Sequence, residues 1–207
     1  MSRYVITQSQ ISSWAYCHSC GPDYAEEAVS DFEALLRKEP RETSPAALNG
    51  IEFEDAVYDI VKGVPRTHTH PKWESGIQAV ATIIKGSQLQ VKGSRPLTCC
   101  GMDFLVYGKL DALRAGVIRD VKFSNKGFSS AELQGKYLES PQHPLYMYIW
   151  PDAYKFEYVV SDGTDVYVET YTRDQTRDAK DVISEFIRGI SDMGLLETYK
   201  KYQQAYE

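Results

Sequence analysis

Residues 108–124 read GKLDALRAGVIRDVKFS. Leu110, Ala112 and Leu113 before the Arg114-Ala115-Gly116 step, and Val117, Ile118, Val121 and Phe123 after it, are the residues of two strands folded back on each other. Asp111, Asp120 and Lys122 interrupt that apolar run. If the loop holds two or four residues centred on Ala115-Gly116, Asp111 lies opposite Asp120 and the two side chains share a face. Lys122, two residues on, points to the same face. A three-residue loop at Arg114-Ala115-Gly116 puts the aspartates on opposite faces unless a bulge intervenes. The register of this hairpin therefore decides whether the acids meet.

Outward from the hairpin, residues 88–98 and 102–113 keep the strand period, and 116–123 is their partner. Residues 154–160 (YKFEYVV) and 165–172 (DVYVETYT) alternate around the turn SDGT, a second hairpin. The rest is helical in period. Residues 7–20 form a short helix docked by Ile11, Trp14 and Tyr16, and 24–38 carry Ala28, Phe32, Leu35 and Leu36 on one face. Ser44-Pro45 starts a helix and Gly63 stops it, with Ala47, Ile51, Val57, Ile60 and Val61 recurring between them. Residues 74–85 turn Ile77, Val80, Ala81 and Ile84 inward. A helical region over 129–150 breaks near Ser140-Pro141, and a last helix over about 175–204 carries Val182, Ile183, Phe186, Ile187, Ile190 and Leu195. The order predicts an α+β (mixed α/β) fold with a central mixed sheet of about five strands flanked by helices. It is one domain over 1–207: a helical extension (1–43), a core (44–172) and a C-terminal helix (173–207).

Bulk composition narrows the class. The chain has 207 residues, 43% hydrophobic and 25% charged, which supports a sizeable core rather than disorder. No run of about 18 apolar residues predicts a membrane helix. MSRYVITQSQ lacks an apolar signal core, so a cytoplasmic protein is expected. The formal charge of −6 speaks against a broad non-specific nucleic-acid surface but leaves room for a local basic groove. Cys17-His18-Ser19-Cys20 has the spacing of half a zinc or iron–sulfur site; adjacent Cys99-Cys100 does not supply the other half. His68 and His70 alternate in a loop and are a further candidate metal pair.

The chemistry of the hairpin acids has two readings. Two carboxylates a few ångströms apart repel unless a cation sits between them. Mg²⁺ or Mn²⁺ takes such oxygen ligands, polarises a phosphoryl oxygen and lowers the pKa of bound water; Lys122 would orient that water or steady charge on the phosphate. A solvated sheet face with alternating charge gives the same pattern. Three further stretches bear on the choice. Glu54 in Gly50-Ile51-Glu52-Phe53-Glu54 lies beside Val57 and Val61 at the edge of a buried stripe, where a lone carboxylate is costly; Glu52 competes for the role one turn off the stripe. Gln142 and Tyr146 are one helical turn apart and reach one surface spot, on a helix that Ser140 can cap with Pro141 at its first position. Lys109, Lys126 and Lys136 are available as phosphate contacts.

Taken in order, these segments resemble the PD-(D/E)XK nuclease superfamily, in its RecB-like exonuclease branch. Gly50 to Glu54 is similar to the first-helix motif, in which a Gly is followed four residues later by His or Glu. Gly108-Lys109-Leu110-Asp111 is similar to the G-x-x-D strand, Asp120-Val121-Lys122 to the (D/E)-x-K strand, and Gln142-His143-Pro144-Leu145-Tyr146 to the Q-x-x-x-Y helix. The matches span roughly residues 50–146; residues 1–43 and the last helix lie outside them. The resemblance implies Glu54, Asp111, Asp120 and the Val121 carbonyl as ligands of Mg²⁺ or Mn²⁺, and Lys122 as the residue assisting the attacking water. Gln142 and Tyr146, with Lys126 and Lys136, would position DNA. It implies a DNase, of exonuclease type, in recombination, repair or phage DNA metabolism. With no P-loop in the chain, a helicase or recombination partner would supply any ATP-driven movement. Two departures are plain: Leu110 stands where the family's proline precedes the first acid, and no cysteine follows Cys100, so no iron–sulfur cluster is expected. The alternatives are a catalytically inactive DNA-binding or scaffold protein on the same fold, and a small zinc module using Cys17 and Cys20.

Overall fold

The structure, a computed structural model, describes residues 3–66 and 71–205. His68 and His70 fall outside the described residues. Among the described residues six strands form one mixed sheet: β1 (Arg3–Thr7), β2 (Gln88–Cys99), β3 (Met102–Arg114), β4 (Val117–Phe123), β5 (Lys155–Ser161) and β6 (Val166–Thr172). Eight helices accompany them among the described residues: α1 (Gln8–Ser19), α2 (Ala25–Arg37), α3 (Pro45–Lys62), α4 (Glu74–Ile84), α5 (Ser130–Leu133), α6 (Gln142–Ile149), α7 (Ala179–Asp192) and α8 (Leu196–Tyr202). This is the mixed α/β arrangement that the order of elements predicts, with β1 as a sixth strand.

Alternation along the strands sorts the helices into two layers. Ile118, Phe156, Tyr158 and Val160 face a core filled by Phe32 and Leu36 of α2, Leu145 of α6, Phe186 of α7 and Tyr199 of α8. Val121 and Val159 point the other way, onto Phe53, Val57, Ile77, Val80 and Ile84 of α3 and α4. Helix α3 begins with Ser44 Oγ accepting from the Ala47 N–H at 3.2 Å and ends at Gly63 in the left-handed region, φ 69°. Ala47 and Ile51, which the helical period assigns to the buried stripe, are instead exposed, because the buried face is Phe53, Ala56, Val57 and Tyr58. The expected last helix is two helices, parted at Met193-Gly194-Leu195.

The strand pairing positions the site. Strand β2 runs antiparallel along one edge of β3 from Gln88↔Leu113 to Cys99↔Met102. Two strands share the other edge: β1, parallel, along Asp103–Tyr107, and β4, antiparallel, along Ala112–Arg114. Between them, residues 108–111 have no strand partner on that side among the described residues, so the sheet forks there. The β2–β3 ribbon also changes faces at this point. Val91 and Leu110 belong to the first core, whereas Leu89 and Ala112 belong to the second. Gln90, at the crease, adopts φ 54°.

Candidate active site

The hairpin register comes out as a two-residue loop. Arg114 pairs with Val117 and Ala112 with Arg119, leaving Ala115 (φ 48°) and Gly116 (φ 76°) as the turn. Two positive φ values define the type I′ turn, whose twist suits a hairpin. Continuing the register sets Asp111 against Asp120, but the ladder stops one step short. The Val121 N–H, which would bond to β3, donates instead to Asp111 Oδ2 at 2.9 Å. Asp111 thus inserts its carboxylate where the two strands part, and the Val121 carbonyl lies on the same edge of β4 as its N–H.

Three elements close around this fork. Lys122 Nζ lies 2.8 Å from Asp120 Oδ2. From α6, the Gln142 amide donates to Asp120 Oδ1, and the Tyr146 hydroxyl donates to the Lys109 carbonyl at 3.0 Å, taking one of the β3 acceptors that the fork leaves unpaired. From α3, Glu54 arrives because Phe53 stacks on Phe123, centroids 4.7 Å apart, directly after Lys122. Helix α6 starts at Gln142 with Pro141 at its cap position, one residue later than the Pro141 start expected from sequence, while Ser140 Oγ accepts from the Gln142 N–H at 3.3 Å.

Helix α6 can approach this closely because of a glycine pair. Gly93 and Gly108 are direct cross-strand partners. A Cβ on Gly108 would meet the Tyr146 ring at 2.7 Å, and one on Gly93 would meet the Trp150 ring at 2.6 Å. The glycine of Gly108-Lys109-Leu110-Asp111 therefore has a packing reason: it lets the Tyr146 ring pack closely on the strand that carries Asp111.

Electrostatics follow from the crowding. Burial pushes the Glu54 carboxyl up to about 8, with the charges of Asp111 and then Asp120 adding to it. Burial also lifts Asp111, joined by the Asp120 charge and opposed by the Val121 N–H, to about 7. Burial works against the Lys122 ammonium, but the Asp120 carboxylate, with Asp111 and Glu54 behind it, outweighs that and holds its pKa above the usual value. Among the described residues no three His, Cys, Asp or Glu side chains are gathered into a ready-made metal cage. The donor set still fits a hard divalent cation. It consists of carboxylate and carbonyl oxygens, and two of its acids hold protons near neutrality only because they are buried beside like charge.

The other sequence candidates lie as follows. Lys126 and Lys136 are exposed, on the β4–α5 loop and after α5, with Lys136 Nζ 5.8 Å over the Tyr137 ring. Gln142 and Tyr146 are buried and occupied within the protein, so both brace the fork instead of presenting a free surface. Cys17 Sγ rests against the carbonyls of Ser13 and Ala28, each at 3.3 Å, while Cys99 is buried and Cys100 exposed at the β2–β3 turn. Two residues escaped the sequence reading. The Gln90 amide donates to Asp111 Oδ1 at 3.3 Å from its left-handed position. Tyr58, one turn beyond Glu54, is buried near Asp111; burial, then the charges of Asp111 and Glu54, raise its pKa. The Cys100-Gly101 turn would have set Gln90 opposite Asp111, and the i, i+4 spacing would have placed Tyr58 beside Glu54.

No protein-family model matches the sequence, and no curated protein matches it. Among solved structures, the crystal structure of SSO0001 is similar with a TM-score of 0.52 and 15% sequence identity, over 95% of this chain and 78% of that one. At that identity the likeness is one of fold. An alkaline exonuclease from Laribacter hongkongensis, LHK-Exo, is similar with a TM-score of 0.46 and 15% identity, over 95% of this chain and 90% of that one. Its complex with dAMP gives 0.44 and 14% over the same shares.

Proposed function

We propose that the chain is a divalent-metal-dependent deoxyribonuclease of the PD-(D/E)XK type, resembling the RecB-like branch. The observation that carries this reading is the fork between β3 and β4, where Asp111, Asp120 and Lys122 share one opening with Glu54 of α3. Glu54, Asp111 and Asp120 would hold Mg²⁺ or Mn²⁺, with the Val121 carbonyl as a further ligand. The metal, when bound, polarises the scissile phosphate and makes a coordinated water more acidic.

The chain's own residues do the rest. Lys122 stays cationic through the neutral range, so it acts as a donor to the attacking water and to the charge growing on the phosphate, not as a base. The Gln142 amide donates to Asp120 Oδ1 and so orients the carboxylate that would meet a cation. Tyr146 ties α6 to the strand bearing Asp111. Lys126 and Lys136 would meet phosphates outside the fork. Exonucleolytic action, a role in recombination, repair or phage DNA metabolism, and dependence on a helicase partner extend the reading as the resemblance implies.

The test is hydrolysis of end-labelled linear DNA with Mn²⁺. Asp120→Ala and Lys122→Ala should each lower the rate by about 100-fold or more. Equal activity in wild type and both variants would sink the site assignment. Mononucleotides released only from ends mark an exonuclease; nicked closed circles mark an endonuclease.

A further inference from the structure

The exposed side of the β2–β3 ribbon carries a charge arrangement that the fork does not use. Lys92 lies directly opposite Lys109 in the antiparallel register. Both side chains are exposed, and neither is ion-paired among the described residues. Like charges directly opposite in a sheet are destabilising. In a chain with 29 acids and a net charge of −6, an acid at either position would relieve the repulsion. The alternating pair behind them is Gly93 and Gly108, pressed against Trp150 and Tyr146, so the lysines project from the side away from α6. The next pair on their side is Ser94 and Tyr107, which adds two hydroxyls and an aromatic ring. Lys109 precedes Asp111 by two residues, about 7 Å along the strand. A pocket of about 220 Å³, bordered by Thr7, Ser9, Tyr107 and Tyr146, adjoins it.

We propose that Lys92 and Lys109 together bind a backbone phosphate of the DNA strand that enters the acidic fork. The inference rests on the nuclease reading and deepens it. An anion between two opposed ammonium groups turns their repulsion into attraction, and lysine donors hold phosphate without reading sequence. The ribbon then guides the strand, and the fork cuts it.

The test is the affinity of a short fluorescein-labelled DNA duplex, followed by anisotropy over a salt series with Ca²⁺ in place of Mg²⁺, beside cleavage with Mn²⁺. Lys92→Ala and Lys109→Ala should each reduce the slope of log affinity against log salt by about 1, and Lys201→Ala on α8 should not. Lys92→Glu, which sets opposite charges across the pair, should raise the melting temperature while weakening DNA binding about tenfold or more. Unchanged affinity and slope in both alanine variants, with wild-type protein that binds and cuts, overturns the lysine site and leaves the nuclease reading standing. Wild-type protein that neither binds the duplex nor cuts DNA with Mn²⁺ overturns both.

Discussion

Glu54 and Asp111 are carboxyls that the folded chain holds protonated well above their ordinary range, at about 8 and about 7. Their pKa values are raised by folding, so between about pH 4 and pH 8 the folded state binds more protons than the unfolded one. Stability from these groups is therefore greatest below the unfolded pKa values and falls as pH rises through the folded ones. In EDTA, the melting temperature of the wild type should drop over that window more than those of Glu54→Gln and Asp111→Asn. A wild-type profile that both variants reproduce would remove the crowding argument. The same residues show where sequence reading stops. That the acids belong together was legible from Glu54, Asp111, Asp120 and Lys122 and their order. The strand register could have set Gln90 opposite Asp111, but not shown that it braces the carboxylate, because that role depends on a left-handed backbone at a crease where two strands change faces. Gln142 could be singled out from its spacing to Tyr146, but its contact with Asp120 is a relation set by packing that no spacing rule contains.

At the scale of elements, the hairpin turn and helix α6 decide the geometry. The sequence left the register open because Ala-Gly is a weak type I′ signal beside Asn-Gly. Ala115 pays for it with φ 48°, a region where a residue other than Gly, Asn or Asp costs about 1–2 kcal/mol. Ala115→Asn should recover about 1 kcal/mol, seen as a melting temperature raised by roughly 2–4 °C for a chain of this size, with cleavage unchanged. No rise would mean that the turn is not type I′. Gly108→Ala should act in the opposite sense. Its Cβ would press on a Tyr146 ring tethered through its hydroxyl to Lys109, so the helix or the strand must shift, at a cost of about 1–3 kcal/mol. Gln142 lies one turn from Tyr146, so the shift should also loosen Asp120 and reduce cleavage in protein that remains folded. Full activity in a folded Gly108→Ala variant would show that α6 does not clamp the fork. The boundaries of α2, α3 and α4 were readable from caps and period. The division of the last helix and the short strand β1 were not, since each is settled by docking more than by local propensity.

Across the whole molecule, the fork is where three layers meet. Glu54 comes from the helices on one face, Asp111 and Asp120 from the sheet, and Gln142 from the helices on the other face. The two apolar cores lie on opposite faces of the sheet and reach one another only through it, so a cation held by these acids would tie both layers to the strands between them. A ligand that binds only the folded state stabilises it by about 2.7 kcal/mol at a hundred times its dissociation constant. For a chain of this size that corresponds to a melting temperature raised by roughly 5–10 °C. The cation must displace the protons held by Glu54 and Asp111, so Mn²⁺ should raise the melting temperature more at pH 8 than at pH 6, opposite in trend to the metal-free protein. Asp111→Asn should lose most of the Mn²⁺ effect while keeping the fold. An equal rise in wild type and Asp111→Asn would place the bound metal elsewhere on the molecule, and Glu54, Asp111 and Asp120 would then be a strained acidic cluster without a metal to relieve it.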